Sequence, residues 1–255
     1  MKKLVAVLAL ITFNVHAAPD CRELSSCESL GFICSSEECG DLKALSCPFD
    51  LSKKVCFPKE TDCQLGDVLY DDLKCHDAPC GKTPIAVVFD TEKRLAVALN
   101  KYPSLQWSSD LVDLPDLENC PFIARPDNAT CEADISGKIN TAKIVNYGKE
   151  NDITFAAAEY CYNLTFGGLS QGTWWLPNYI EALSLSRDNY IAIKQTFIKH
   201  GITFFDGMSL TWTSTEYNAE NAFMIQLSDG TTNLTPSFYS KKVERSLPTL
   251  CVVGY

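Results

Sequence analysis

The sequence is poor in the residues on which most metal and nucleic-acid sites depend. It has three histidines, and none of its thirteen cysteines forms a Cys-x-x-Cys pair, whereas zinc sites draw on closely spaced Cys or His ligands. Its 22 basic residues are outnumbered by 32 acidic ones, which gives a net charge of −10. Binding of nucleic acid needs clustered Lys and Arg. We therefore expect no cofactor, no metal site and no nucleic-acid partner.

Long hydrophobic runs are also lacking, apart from one at the start of the chain. Lys2 and Lys3 precede an apolar stretch over residues 4–15, and Val15 and Ala17 provide small residues around a cleavage site. This order is typical of a secretory signal peptide over residues 1–17. The run is shorter than the ~20 residues that span a membrane. We expect an exported protein without a transmembrane segment, located in the periplasm, on the cell surface or outside the cell.

The thirteen cysteines all follow that signal. An exported, cysteine-rich chain predicts a disulfide framework. Nine cysteines fall within residues 18–81, which predicts a small stapled arm, either a recognition knot or a protease-resistant spacer. Cys120 and Cys131, eleven residues apart, predict a local disulfide loop. Because the count is odd, one thiol is free or forms an intermolecular disulfide.

Residues 82–255 predict one globular α+β domain. Two apolar runs, 84–89 and 94–99, indicate a hairpin with both faces covered. Helices are predicted from Asn140 or Thr141 to about Gly148, from Thr154 to about Leu164, and from Asn178 to His200 with a break near Arg187. Asn178 and Glu181 form a capping-box pattern at the start of the last helix. Gly201 can adopt the left-handed conformation that ends a helix. Strands are predicted at 202–205, 210–214, 222–227 and 249–253, with a turn at Asp229 and Gly230.

Three features of the sequence could form a catalytic, cation-binding or sugar-binding site. Gly168, Ser170 and Gly172 match the Gly-x-Ser-x-Gly pattern of serine hydrolases, with His200 as the base and Asp188 as the third member, but that mechanism needs a strand before the serine. Asp110, Asp113 and Asp116 recur every three residues and predict a solvated acidic loop rather than a cation site. The four tryptophans are core residues or sugar-stacking platforms. Because Trp174 and Trp175 are adjacent, one is predicted to be core and the other partly exposed.

One set of motifs resembles a known family. It comprises Ala-Ala-Glu-Tyr before Cys161, Trp174 to Pro177 with Glu181, Trp212 to Glu216, the turn at Asp229 and Gly230, and Leu-Cys-Val-Val ending at Val253, with Lys82–Asp90 and Gly137–Thr141 upstream. It is similar to a bacterial domain of unknown function typified by the C-terminal domain of a collagen-like adhesin. The resemblance covers residues 82–255. It implies a C-type-lectin-like fold related to the sulfatase-modifying-factor fold, with a mixed antiparallel sheet and two to three helices.

The same resemblance implies a disulfide between Cys161 and Cys251, a pair that joins a helix to the last strand. The sequence departs from the family pattern in two places. Trp175 stands where the family usually has Arg, and a longer insert follows Arg245. The calcium and sugar motifs of true C-type lectins and the catalytic cysteines of formylglycine-generating enzymes have no counterpart, so neither activity is expected.

These observations together predict a non-enzymatic binding or adhesion protein that recognises an extracellular glycan or protein. Its predicted binding surface is the stretch from Tyr217 to Tyr239, read as rich in loops. A structural envelope component without a discrete ligand, and a hydrolase using Ser170 and His200, are the alternatives. The candidate contact residues are adaptable polar and aromatic side chains: Tyr217, Asn218, Glu220, Asn221, Asn233 and Tyr239.

Overall fold

The computed structural model describes most of the chain beyond residue 60 and short stretches before it. The signal peptide, most of the cysteine-rich arm, Cys120 and Cys131, the turn at Asp229 and Gly230, Asn233 and the side chain of Tyr239 lie outside the described residues. The structure describes residues 45–47, 50–55, 60–77, 81–117, 136–186, 188–204, 209–227, 237–240 and 246–255.

The chain divides into two compact units. The smaller comprises Met1–Asp62 and Tyr70–Pro84, and the larger comprises Cys63–Leu69 and Ile85–Tyr255. In the smaller unit, strands β1 (Leu45–Cys47) and β2 (Asp50–Val55) pair antiparallel, as do β3 (Glu60–Thr61) and β5 (Cys75–His76). The sequence placed the boundary at residues 81 and 82. It gave no sign that residues 63–69 pack with the larger unit.

The main sheet of the larger unit has strands in the order β13, β7, β6 and β4. Strand β6 (Pro84–Asp90) and strand β7 (Leu95–Ala98) form the predicted antiparallel hairpin, and both are buried along most of their length. The Asp90 carboxylate accepts hydrogen bonds from the backbone of Glu92 and Lys93 and closes the turn. The predicted hairpin with two covered faces is confirmed. Strand β4 (Val68–Tyr70) follows β6 in this order, and β13 (Val252–Gly254) lies at the edge beside β7.

Four α-helices occur in the described residues, more than the two to three predicted. Helix α1 begins one turn earlier than predicted, with Ser136 at its N-cap. Its first residue is Gly137, which can lie close to the backbone of Leu176 and Asn178, where a residue with a Cβ atom would clash. Helix α2 is capped at Phe155 rather than Thr154, and the backbone N–H of Phe155 donates to Glu159. Gly201 has the expected positive φ of 69°. The helices are α1 (Gly137–Asn151), α2 (Ala156–Asn163), α3 (Tyr179–Leu183) and α4 (Asp188–Lys199), with a 3-10 turn at Phe166–Gly168.

A second sheet contains strands β9 (Ser209–Asn218), β10 (Asn221–Leu227) and β11 (Ser237–Ser240), in the order β11, β10, β9. A small pair joins β8 (Ser104–Leu105) to β12 (Leu247–Pro248). The prediction of a strand at 202–205 is wrong over residues 202–204, which are irregular. Mixed α+β architecture with antiparallel sheets is confirmed.

One hydrophobic core joins these elements. It contains residues from the main sheet, from α3 and α4, and from the second sheet, including Val97, Leu185, Phe197, Phe223 and Val252. Cys161 of α2 and Cys251 are both buried and form a disulfide across 90 residues, with their Cα atoms 5.3 Å apart. This pair is the one that the family resemblance implied. Within the described residues, no helix combines the length and hydropathy needed to cross a membrane.

Candidate functional site

The predicted binding surface is built on the β9–β10 hairpin. Strand β9 ends at Asn218 and strand β10 begins at Asn221, so the connection is two residues long. The Asn218 side-chain oxygen accepts hydrogen bonds from the backbone N–H groups of Glu220 and Asn221, both at 2.9 Å, and from the Asn221 side chain at 3.1 Å. Asn218 and Asn221 therefore shape the turn, and Glu220 projects from it as an exposed side chain.

Tyr217 lies beside this turn and is half-buried. Its ring meets Phe223 edge-on, with centroids 5.9 Å apart, and it packs against the hydrophobic core. Tyr239 of β11 lies opposite Ala222 of β10 in the strand register. The interpretation of residues 217–239 as rich in loops is wrong where the structure describes them, because β9, β10 and β11 run through the region. The β-branched residues of β9 favour extended backbone.

None of the four tryptophans is a surface platform. All are buried, and each indole N–H donates to an internal acceptor, as expected for buried tryptophan. The prediction that one of Trp174 and Trp175 is partly exposed is wrong. The acceptors are Thr213 O for Trp107, Phe166 O for Trp174, the Glu181 carboxylate for Trp175 and Leu105 O for Trp212.

Glu181 is a buried carboxylate of the larger unit that is held by N–H donors. One carboxylate oxygen accepts from Trp175 Nε1 at 3.1 Å and from the Asn178 backbone at 3.0 Å, and the other accepts from Gly137 N at 3.1 Å. The Asn178 side chain accepts from Glu181 N, which completes the predicted capping box. The sequence showed the capping box but not the donors from Trp175 and Gly137.

The close approach of three segments around Glu181 requires glycine at position 137. A Cβ added there would lie 2.6 Å from Asn178 N and 2.7 Å from Leu176 O. Thr141, one turn later in α1, donates to Gly137 O and accepts from Leu176 N. The prediction of Asn140 or Thr141 as the N-cap is wrong, because the N-cap is Ser136. Thr141 instead links the first turn of α1 to the segment before α3. The arrangement around Glu181 is architectural.

The hydrolase elements lie in the wrong structural context. A 3-10 turn precedes Ser170 and a further turn follows it, whereas the nucleophile elbow needs a strand and then a helix. The Ser170 hydroxyl is exposed and lies 3.2 Å from the Thr173 hydroxyl. His200 follows the last turn of α4 and is exposed. The described residues contain no group of three or more His, Cys, Asp or Glu placed to hold a metal ion.

Comparison with known proteins gives one fold relationship. A scan against protein-family models finds no match, and no curated protein matches the sequence. The structure is similar to that of a fimbrial protein from Bacteroides ovatus ATCC 8483, with a TM-score of 0.51 at 15% sequence identity. The match covers 76% of this chain and 49% of that protein, so the chain spans about half the length of the protein it resembles. At this identity the likeness concerns the fold alone.

Proposed function

We propose that the chain is an exported, non-enzymatic binding or adhesion protein whose larger unit recognises an extracellular glycan or protein. The fold likeness to a protein described as fimbrial carries this proposal. The Cys161–Cys251 disulfide and the disulfide-bonded state of Cys63 and Cys75 support export, because disulfides persist in oxidising compartments. The C-type-lectin-like assignment and the resemblance to the adhesin-type domain belong to the same proposal.

The tip of the β9–β10 hairpin is the proposed contact surface. Glu220 is exposed and the Tyr217 ring is half-buried, so both are accessible without unfolding the hairpin. Asn218 and Asn221 are committed to the turn and hold it rigid. A rigid turn that presents an aromatic ring beside a polar group binds with little loss of conformational entropy.

Binding of the mature protein to arrays of glycans and extracellular matrix proteins tests the proposal. The variant Tyr217→Phe with Glu220→Ala removes the polar atoms but retains the ring that packs on Phe223. We expect it to weaken binding about tenfold, as loss of central contacts does. Tyr147→Phe with Glu150→Ala, the same pair of changes on α1, is the matched control and should bind like the wild type. Equal binding by the hairpin variant and the control would show that the surface lies elsewhere.

A structural envelope component without a discrete ligand is the second proposal, and the odd number of cysteines favours it. An intermolecular disulfide through the remaining cysteine would link the chain to a neighbouring protein. Extraction of the protein from its native envelope with detergent, with and without reductant, tests this. Release only with reductant supports the structural role, and equal release in both conditions contradicts it.

A further inference from the structure

The outward face of α4 combines apolar and basic side chains in a chain that is acidic overall. Ile191 and Ile198 are 51% and 58% exposed, the highest values among the large hydrophobic residues that the structure describes. Their seven-residue spacing puts them on one face, about 10 Å apart along the axis. Lys194 lies between them in sequence, over the Tyr190 ring at 5.8 Å, and Lys199 ends the helix. We call Ile191, Lys194, Ile198 and Lys199 the α4 face.

A second exposed segment of the larger unit has the opposite charge. Leu111 is 45% exposed and lies between the exposed residues Asp110 and Asp113, with exposed Asp116 following. Lys143 donates to the backbone carbonyl of Asp116, which fastens this stretch to α1. We call residues 110–116 the acidic segment. In the acidic segment one apolar side chain, Leu111, is surrounded by carboxylates. In the α4 face two apolar side chains are accompanied by ammonium groups.

We propose that the α4 face of one copy of this chain binds the acidic segment of a second copy. Leu111 would bury part of the exposed surface of Ile191 and Ile198, and the carboxylates would approach Lys194 and Lys199. The charges are complementary only in this pairing, because two α4 faces or two acidic segments repel each other. This self-association goes beyond the ligand-binding proposal and does not depend on it.

The pairing uses two different surfaces, so a complex of two copies leaves one α4 face and one acidic segment unused at its ends. Such heterologous contacts generate rings or open chains rather than closed symmetric dimers. Three partly exposed aliphatic side chains bury much less than the ~1,200 Å² of a stable interface. The association is therefore weak and is favoured where copies are concentrated, as on a surface.

Sedimentation equilibrium of the oxidised mature chain tests the proposal. Free thiol is alkylated first, so that no disulfide joins the copies. One variant, Ile191→Ser with Ile198→Ser, removes the apolar part of the α4 face. Another, Leu111→Ser with Asp110→Asn and Asp116→Asn, removes the acidic segment. We expect concentration-dependent association of the wild type and about tenfold weaker association of each variant alone. An equimolar mixture of the two variants should form one-to-one complexes that grow no further.

Two control variants separate this pairing from general effects of polarity and charge. Ile139→Ser changes an isoleucine on α1 that is 47% exposed, and Glu92→Gln with Glu150→Gln removes two exposed carboxylates elsewhere. Both should associate like the wild type. If Ile191→Ser with Ile198→Ser fails to fold, as judged by near-ultraviolet circular dichroism, Lys194→Gln with Lys199→Gln tests the same face. A monomeric wild type at millimolar concentration, a mixture that stays monomeric, or equal losses in the controls would each overturn the proposal.

Discussion

Glu181 shows how a single buried side chain connects three segments of the larger unit. Its carboxylate accepts from the start of α1, from the segment before α3 and from an indole. A buried carboxylate is costly unless hydrogen bonds replace its water. Here three N–H donors do so, and the positive end of the α1 dipole adds a favourable field.

Replacing Glu181 with Ala should lower the free energy of unfolding by roughly 3–5 kcal/mol, because three donors lose a charged acceptor. Urea denaturation at neutral pH measures this. Glu159→Ala is the matched control, because that carboxylate accepts from the Phe155 backbone at the start of a helix, and it should cost about 1 kcal/mol. Equal costs for the two substitutions would contradict the role assigned to Glu181.

Tyr102 is a second residue whose surroundings have a measurable consequence. Its ring lies against Phe197 and Phe204, and its hydroxyl makes a long 3.4 Å bond to Ala98 O. Burial raises the pKa of Tyr102 well above its usual value of 10.0, and the nearby Tyr160 adds to the shift. The folded state therefore binds the phenol proton of Tyr102 more tightly than the unfolded state does. The contribution of Tyr102 to the free energy of unfolding is complete below the unfolded pKa, and it is lost as the pH rises above that value.

Tyr102→Phe should therefore change the pH dependence of stability more than stability itself. Near neutral pH it removes the weak bond to Ala98 and should cost less than about 1 kcal/mol. As pH rises above about 10, the wild type should lose stability faster than the variant, since the buried phenol must ionise on unfolding. Urea denaturation at a series of alkaline pH values measures this. Parallel pH curves for the two proteins would show that Tyr102 does not titrate as described.

The sequence predicts the strands of the β9–β10 hairpin but not its tight connection. Strands are predicted at 210–214 and 222–227, but the stretch from Tyr217 to Tyr239 is predicted to be rich in loops, because Tyr217, Asn218 and Asn221 are typical of binding loops. In the structure the same asparagines make a tight connection between two strands, and the polar residues from Thr211 to Glu216 are buried. Thr213 donates to Phe223 O, and Thr215 accepts from Tyr179 N. Single-sequence patterns do not show that polar side chains will find internal partners.

Asn218→Ala should destabilise this hairpin by about 1–2 kcal/mol, because the side chain that closes the turn is lost. Asn218→Asp keeps an oxygen that accepts from the backbone of Glu220 and Asn221, so it should cost less. Thermal unfolding of the two variants measures the difference. A larger loss for Asp than for Ala would contradict the hydrogen-bonding role of this side chain.

At the scale of the whole molecule, the end of the chain closes the core. Strand β13 pairs with β7, and Val252 exchanges backbone hydrogen bonds with Trp175 on its other side. The preceding residue, Cys251, is tied to α2 by the disulfide. Residues 250–254 therefore hold together helix α2, the segment before α3 and the main sheet. Each of these partners is far from residues 250–254 in the sequence.

Replacing Cys161 and Cys251 together with Ala should lower the free energy of unfolding by about 4–5 kcal/mol, because the unfolded chain is freed of a loop of 90 residues. Guanidinium denaturation of the oxidised proteins measures the loss. The native structure should persist at neutral pH, because the surrounding core is apolar and buried. A loss below about 1 kcal/mol would show that the disulfide does not restrain the unfolded chain as this reasoning requires.

The sequence alone determined the features that depend on neighbours along the chain. The β6–β7 hairpin, the capping box at Asn178 and Glu181, and the stop at Gly201 follow from hydrophobic pattern, side-chain reach and backbone freedom over a few residues. The tertiary structure decided the features that depend on distant partners. Trp175 is buried because Glu181 accepts its N–H, α1 begins at Gly137 because three segments meet there, and residues 63–69 join the larger unit through Gly66 and Val88. Local propensity cannot encode these contacts, because each partner lies in another element of the fold.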